Sequence, residues 1–396
     1  LFRIDRVVHE TENFNSGNFE SKQCEIVVFP DPEGPDKIII FPFFIILPNF
    51  VLVNGKLSFY KNLYEMKLGI VGATGMVGRV MIDLLEKRNF PLKELYLSAS
   101  EKSVDKELFF KKKVYKIISI YDLFLKKPDI VLFSSGSNVS KEWAPKFSDI
   151  GSIVIDNSSA WRMDSSKKLV VPEINASYLS EKDKIIANPN CSTIQLVMVL
   201  FPLHLEYEIS RVIVSTYQSV TGTGKKALDQ LDRERKKNGN CSFRVYPHPI
   251  YQNVIPHCDQ FTDKGYTIEE MKLINETRKI MNDYNIAITA TAVRVPVTGG
   301  HSESVNITFR KKPSINRIYE ILSKRKGIII QDHPKDDIYP MPLYAHGKDE
   351  IFVGRIREDF SFQNSINIWI VADNLRKGAA TNTIQIAEYL IRKKYV

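Results

Sequence analysis

Lys67-Leu68-Gly69-Ile70-Val71-Gly72-Ala73-Thr74-Gly75-Met76-Val77-Gly78 is the stretch that decides the fold. Lys67 to Val71 reads as a short buried strand. It runs straight into three glycines at G-x-x-G-x-x-G spacing, after which Val77, Val80, Met81, Leu84 and Leu85 share one helical face. Strand, glycine turn and amphipathic helix are the context that a dinucleotide fingerprint requires. Gly72 would allow the tight turn, Gly75 would let a pyrophosphate approach the helix N-terminus, and Gly78 would let the helix lie close to the strand. A purely structural turn is the plainer alternative.

The next strand is Glu94-Leu95-Tyr96-Leu97. An NAD enzyme usually carries an acidic residue at its end, on the ribose hydroxyls. Here the end reads Ser98-Ala99-Ser100-Glu101-Lys102-Ser103. Hydroxyls plus a cation suit a 2′-phosphate, which favours NADP, with Glu101 as an acidic neighbour and Lys102 open to a second reading as a solvated turn residue. Asp129 to Phe133 and Ser152 to Ile155 are further strands. They end in Ser134-Ser135-Gly136-Ser137 and in Asp156-Asn157-Ser158-Ser159-Ala160-Trp161-Arg162. Small polar residues thus recur at the edge where open α/β sheets bind ligands. Arg162 could fork onto a carboxylate or phosphate, or sit in a surface ion pair.

Asn188-Pro189-Asn190-Cys191-Ser192-Thr193 lies between a β-branched run, Lys184 to Ala187, and an apolar helical run, Ile194 to Leu200. A thiol at such a strand-to-helix turn is expected to have a lowered pKa, and the helix N–H groups there can hold an oxyanion. Taken alone, a small buried cysteine explains the residue as well. Further on, the strand Arg211 to Gln218 leads into Ser219-Val220-Thr221-Gly222-Thr223-Gly224-Lys225. Thr267 and Glu270 form a capping box at the start of a long helix. Ala287 to Pro296 is a strand carrying Arg294. It leads to Gly299-Gly300-His301, a histidine on a glycine-hinged loop that reads either as a base or as an exposed loop residue, and then to the strand Ser304 to Phe309. Ile366 to Val371 is a last strand and Lys377 to Ile391 a last helix.

The 396 residues suggest two domains with an appendage. A net charge of +9 suits anionic small molecules and also nucleic acid, but the cations are dispersed and no zinc-finger or aromatic RNA-binding pattern occurs. Cysteines 24, 191, 241 and 258 form no disulfide framework, which fits a reducing, cytoplasm-like compartment. His248, His257 and Cys258 lack metal-ligand spacing and read as loop and packing residues, so no metal is expected. Residues 1–65 are rich in Asn, Pro and Phe and carry no sustained helical period. Pro42 and Pro48 break the apolar run 38–53, which is too short and interrupted for a membrane span. Met66 is expected to begin the folded enzyme, with 1–65 a poorly ordered or non-native extension (a targeting sequence or translation artefact included) and a small extra structural element packed on the domain as the alternative.

Taken together, Gly72 to Gly78, Asn188 to Thr193, Arg294-Val295-Pro296 and Gly300-His301-Ser302-Glu303 closely resemble aspartate-semialdehyde dehydrogenase from about Met66 to the C-terminus. The resemblance implies an NADP-linked, phosphate-dependent interconversion of aspartate semialdehyde and aspartyl β-phosphate, on the route to lysine, threonine and methionine. It implies Cys191 as nucleophile, His301 as acid/base and Gln218 beside the thiol. It also implies Arg294 on the substrate carboxylate, Glu270 on its amino group, and Arg162, Lys272 and Asn190 around phosphate. Lys102 and Asp105 stand where the family usually has Arg and Gly, and Ala292 where it often has Cys.

The expected cofactor set is Gly72, Ala73, Thr74, Gly75, Met76, Val77 and Gly78, with Ser100, Lys102, Ser103, Ser135, Gly136, Thr221, Gly222 and Asn382. The expected fold is α/β. A Rossmann-type NADP domain, 66–190 completed by 375–396, precedes an α+β catalytic and dimerisation domain with a mixed sheet, 191–374, and the C-terminal helix returns to the first domain. The resemblance further implies a cytoplasmic homodimer or homotetramer. Neither nucleic acid nor membrane is an expected partner. N-acetyl-γ-glutamyl-phosphate reductase is the nearest rival, but that family has Gly before and Tyr after the cysteine. A non-catalytic Rossmann-fold nucleotide-binding regulator is the rival from another class; it would be expected to have lost Cys191 or His301.

Overall fold

The computed structural model describes residues 66–236 and 244–396, with the strands β1 (Phe50–Val53) and β2 (Lys56–Phe59). These two strands pair antiparallel within a unit, Leu1–Tyr60, separate from Lys61–Val396. The other expectations for residues 1–65, and those for Cys24 and Cys241, lie outside the described residues.

The larger unit holds two sheets. The first contains β3 (Lys67–Val71), β4 (Glu94–Ser98), β5 (Glu107–Phe110), β6 (Lys113–Ile118), β7 (Ile130–Phe133), β8 (Ile153–Asp156), β9 (Lys168–Leu169) and β10 (Ile185–Ala187). Their spatial order is β5-β6-β4-β3-β7-β8-β10-β9, and every pair but β5–β6 is parallel. Central parallel strands are covered on both faces, which is why β7 and β8 are buried at every position. The helices α1 (Met76–Lys87), α2 (Ile120–Leu125), α3 (Ser137–Asp149) and α4 (Pro172–Asn175) connect these strands. From β3 the chain builds β4 on one side and later places β7 on the other. That reversal opens a crevice beyond the C-terminal ends of β3 and β7.

Helix α5 (Cys191–Tyr207) leads from the first sheet to the second. It is apolar on all sides because it runs through the core between elements. The second sheet contains β11 (Ile209–Gln218), β12 (Ala287–Arg294), β13 (His301–Phe309), β14 (Ile328–Ile330), β15 (Ile351–Glu358) and β16 (Ser365–Ala372). It is mixed, in the order β12-β11-β13-β16-β15-β14. Its inner face packs on α5, α7 (Ile268–Met281) and α8 (Ile315–Ser323), while α6 (Lys225–Arg235) and α9 (Pro342–Ala345) lie in connections. The C-terminal segment forms a π-turn, Arg376–Ala380, before α10 (Thr381–Arg392), so the last helix starts later than expected. Ile384, Ile386, Ala387 and Leu390 of α10 share a core with Met81, Leu84 and Leu85 of α1, which returns the C-terminus to the first sheet. Among the described residues no helix is long and apolar enough to cross a membrane.

Candidate active site

The glycine turn is built as its spacing predicts. Gly72 has φ +87°, and a Cβ there would lie 2.5 Å from the Ser134 carbonyl oxygen. Its N–H and that of Ala73 donate to the Ser98 carbonyl at 2.8 and 3.0 Å. Gly75 is the N-cap of α1 and offers no side chain to satisfy the helix N–H groups. A Cβ at Gly78 would collide with the Gly72 carbonyl. Ser135 stands beside Gly72, and Gly136 is the N-cap of α3. The buried Ser98 and Ser135 hydroxyls have no hydrogen-bond partner. Uncapped N–H groups, orphan hydroxyls and a cradle that any Cβ would fill fit a dinucleotide. Ser100 caps the short turn Glu101–Ser103 that follows β4, with Ser100 and Lys102 exposed and Ser103 buried. Asp105 takes φ +64° just beyond it.

The second half of the site depends on strand register. Gln218 of β11 lies opposite Arg294 of β12, and Tyr217 lies opposite Ser302 of β13. Gln218, Arg294 and His301 therefore meet at one end of the sheet, beneath the N-terminus of α5. His301 is the first residue of β13 and not a loop residue, because its pairing with Ala372 of β16 carries the strand back to it, immediately after Gly300.

A cavity of about 410 Å³ opens at this end. Cys191, Gln218, Arg162, Arg294, Asn190 and Lys272 line it, and so does Val77 from the helix of the glycine turn. Thr221 and Gly222 also line it, on the thiol side. Arg162 is buried: Nη1 meets Glu276 Oε1 at 3.1 Å, Nη2 donates to the Asn157 carbonyl at 2.7 Å, and Nε has no partner. Arg294 Nη1 donates to the Ser219 carbonyl at 2.7 Å and its Nε is also unpartnered. Two buried guanidinium groups with unused donors face a cavity suited to anions.

Several expectations need correction. Glu270 does not line the cavity. Its carboxylate accepts from the Thr267 N–H at 2.7 Å, completing the capping box, and from the Ala292 N–H at 2.8 Å. One residue earlier on the helix, Glu269 points into the cavity. It accepts from Asn190 at 2.9 Å, Gln218 at 3.1 Å and Lys272 at 3.1 Å. Burial would raise its carboxyl, but the Lys272 ammonium and these hydrogen bonds hold it down at about 2. The spacing Glu269 to Lys272, one helical turn, was the available signal; a capping-box glutamate is already committed to backbone. Asn382 is likewise committed. Its amide donates to the Val170 carbonyl at 2.9 Å and Asn188 Oδ1 at 2.7 Å, and it does not line the cavity, whereas Asn374 does.

The thiol also departs from expectation. Cys191 is half-buried on the cavity wall, and desolvation with the Glu269 charge pushes it up to about 12, against Arg162 and Arg294. The Ser192 N–H lowers it too, but burial and Glu269 outweigh these effects, and Asn190 Oδ1 also caps α5, accepting from Ser192 N at 2.9 Å and Thr193 N at 3.3 Å. Those two donors are thus not free for an oxyanion. Cys258 is buried as a packing residue should be, yet it lines the same cavity.

His301 is fully buried behind Gly222, where a Cβ would come within 3.0 Å of its Nε2 and 2.9 Å of Arg294 Nη1. Burial and the Arg294 charge draw its pKa down to about 3. The neutral ring accepts from the Ser219 N–H at Nδ1, 3.1 Å, which leaves its proton on Nε2. Nε2 has no partner. Glu276 was not singled out in the sequence. It ties Arg162 to the Asn190 N–H, the latter at 2.7 Å.

Comparison with known proteins agrees with this geometry. Residues 67–182 match the semialdehyde dehydrogenase NAD-binding domain and residues 200–377 the semialdehyde dehydrogenase dimerisation domain. An aspartate-semialdehyde dehydrogenase from Aquifex aeolicus is 50% identical over 334 residues, 83% of this chain and 98% of the relative. One from Bacillus subtilis is 44% identical over 336 residues, 82% of this chain and 97% of the relative. The crystal structure of aspartate semialdehyde dehydrogenase II from Vibrio cholerae complexed with ASA superposes with a TM-score of 0.80 at 41% identity, covering 83% of this chain and 98% of that one. At 50% identity to the Aquifex aeolicus enzyme over nearly its whole length, and with both semialdehyde dehydrogenase domains matched, the chain belongs to the aspartate-semialdehyde dehydrogenases.

Proposed function

We infer that this protein interconverts aspartate 4-semialdehyde and aspartyl 4-phosphate with NADP and phosphate, through a thioester on Cys191, in the synthesis of lysine, threonine and methionine. The observation that carries the reading is the single cavity shared by Cys191, two buried arginines, the Glu269–Lys272 pair and Val77 of the dinucleotide helix. Arg294 holds the substrate carboxylate and Glu269, in place of Glu270, its amino group. Arg162 and Lys272 hold the phosphoryl group, with Asn190 beside them.

The Cys191 sulfur attacks the acyl carbon and phosphate leaves, carrying the equivalent of the thiol proton, so the step is balanced as acyl phosphate plus thiol to thioester plus hydrogen phosphate. His301 presents Nε2–H to the oxygen on which negative charge develops, and a neutral ring can do so across the working pH range. Gln218 orients the thiol end of the cavity through Ser192 and Glu269. When bound, the nicotinamide supplies the electron pair that takes the thioester to the aldehyde.

Gly72 to Gly78, Ser135 and Gly136 hold the pyrophosphate and adjoining ribose. Ser100, Lys102 and Ser103 favour NADP over NAD, since their turn offers hydroxyls and a cation to a 2′-phosphate. We assign residues 66–190 with 375–396 to the dinucleotide half and 191–374 to the catalytic half. The outer face of the second sheet, where Tyr217 is exposed and packs at a tilt against Trp369 with ring centroids 5.5 Å apart, is the proposed contact between two copies. The test is to mix the protein with aspartate semialdehyde and phosphate and follow reduction of NADP and of NAD separately. Phosphate-dependent reduction with preference for NADP is expected. No phosphate-dependent signal with either cofactor would refute the reading.

A further inference from the structure

The segment Asp373 to Asn382 touches both halves of the site without supplying a reacting group. Asn374 Oδ1 accepts from the Gly300 N–H at 3.1 Å and from the Ser219 and Thr221 hydroxyls at 3.1 and 3.2 Å, which fixes the turns on either side of His301. The π-turn Arg376–Ala380 follows, a rare form of helix that occurs frequently at functional sites. At its centre, a Cβ on Gly378 would lie 2.8 Å from Cys191 Cβ and 3.3 Å from its Cα. The backbone of the turn is therefore seated directly on the nucleophile.

Lys377, the residue before Gly378, is 1% exposed. Its ammonium lies 2.8 Å from both Glu173 oxygens, 2.7 Å from Gln385 Oε1 and 3.1 Å from Asn382 Oδ1. Asn382 in turn holds Asn188, which lines the cavity three residues before Cys191. Burial draws the Lys377 pKa down while the Glu173 charge opposes it. A buried ion pair is a weak source of stability, since apolar residues of similar volume often serve as well. Four oxygen acceptors around one ammonium do, however, define a unique backbone position, and here that position sets the wall behind Cys191.

We propose that Lys377 is a positioning residue for the nucleophile: its ion pair with Glu173 pins the turn so that Gly378 holds Cys191 at the angle needed for attack. This rests on reading Cys191 as the nucleophile. The double variant E173Q/K377M removes both charges together, and G378A disturbs the same contact while keeping the ion pair. Both are measured beside wild type and C191A for turnover, KM, NADPH affinity, thermal melting and the rate at which iodoacetamide alkylates Cys191.

We expect each variant to melt cooperatively and bind NADPH as wild type does, with KM within about twofold. We expect kcat to fall by about 10- to 100-fold and the alkylation rate to change with it, the scale of a nucleophile displaced by about 1 Å. A folded variant with wild-type kcat and alkylation rate would overturn the proposal. So would a parallel loss of NADPH affinity and melting temperature in both variants, which marks a general structural role. If the double variant does not fold, E173Q alone, which keeps the shape and weakens the ion pair, takes its place beside G378A, and wild-type kcat and alkylation rate in it overturn the proposal. Activity in C191A would instead overturn the nucleophile reading, which separates the two failures.

Discussion

The two walls of the cleft are built in opposite ways. The dinucleotide wall is made of backbone: Gly72, Gly75 and Gly78 contribute the absence of side chains, within seven consecutive residues. The thiol wall is made of side chains from Arg162, Cys191, Gln218, Glu269, Lys272 and Arg294, spread over more than a hundred positions. The first needs only a local turn. The second needs three strands in register and two helix starts aimed at one point. A contiguous backbone device tolerates no added atom, whereas a side-chain constellation tolerates changes that leave its electrostatics and register intact.

Perturbations of each wall should separate the two. The largest effect is expected from C191A, a loss of kcat on the order of 10⁴-fold or more with NADPH affinity unchanged; steady-state rates and a binding titration check it. Next, G78V places side-chain atoms where even a Cβ would meet the Gly72 carbonyl. NADPH binding should weaken by about 100-fold or more, since the backbone then stands off the pyrophosphate. Alkylation of Cys191 should stay near wild type, and a variant that loses both would contradict the independence of the two walls.

The neighbouring glutamates offer a finer test. E269Q should lower kcat/KM by about 10- to 100-fold, the scale of losing a charged hydrogen-bond acceptor, with melting little changed. E270A should do the reverse, costing about 1 to 3 kcal/mol of stability by leaving two buried N–H groups unpaired, with kcat/KM near wild type. Swapped outcomes would restore Glu270 to the site. The mildest perturbation is pH. Because the thiol is held up at about 12, alkylation of the free protein should rise about tenfold per unit from pH 7 to pH 10 without a plateau. A plateau beginning near pH 7 would show a thiolate already formed in the resting site.

Much of this was legible before any coordinates. The G-x-x-G-x-x-G turn, the strands about it and the apolar helix after Cys191 follow from periodicity and glycine spacing, because each is a local demand of the backbone. Arg162, Gln218, Lys272 and Arg294, which the resemblance names, all line the one cavity. Glu270 misled because two glutamates stand side by side at the helix start, and only the direction of the helix tells which one faces the cavity. Asn382 misled because an asparagine near a helix start serves a buried bond as readily as a ligand.

The order of residues alone determined the dinucleotide turn, the two-sheet α/β plan, the return of the C-terminal helix and the family. The turn depends on short-range glycine spacing, and the rest is what the resemblance carried by a few short motifs implies. The tertiary structure alone decided that Glu269 and not Glu270 faces the cavity, that His301 begins a strand where burial draws its pKa down, and that burial pushes the thiol up. Those facts depend on desolvation and on charges brought together by strand register and helix packing. They are sums over neighbours distant in sequence, which no local pattern contains.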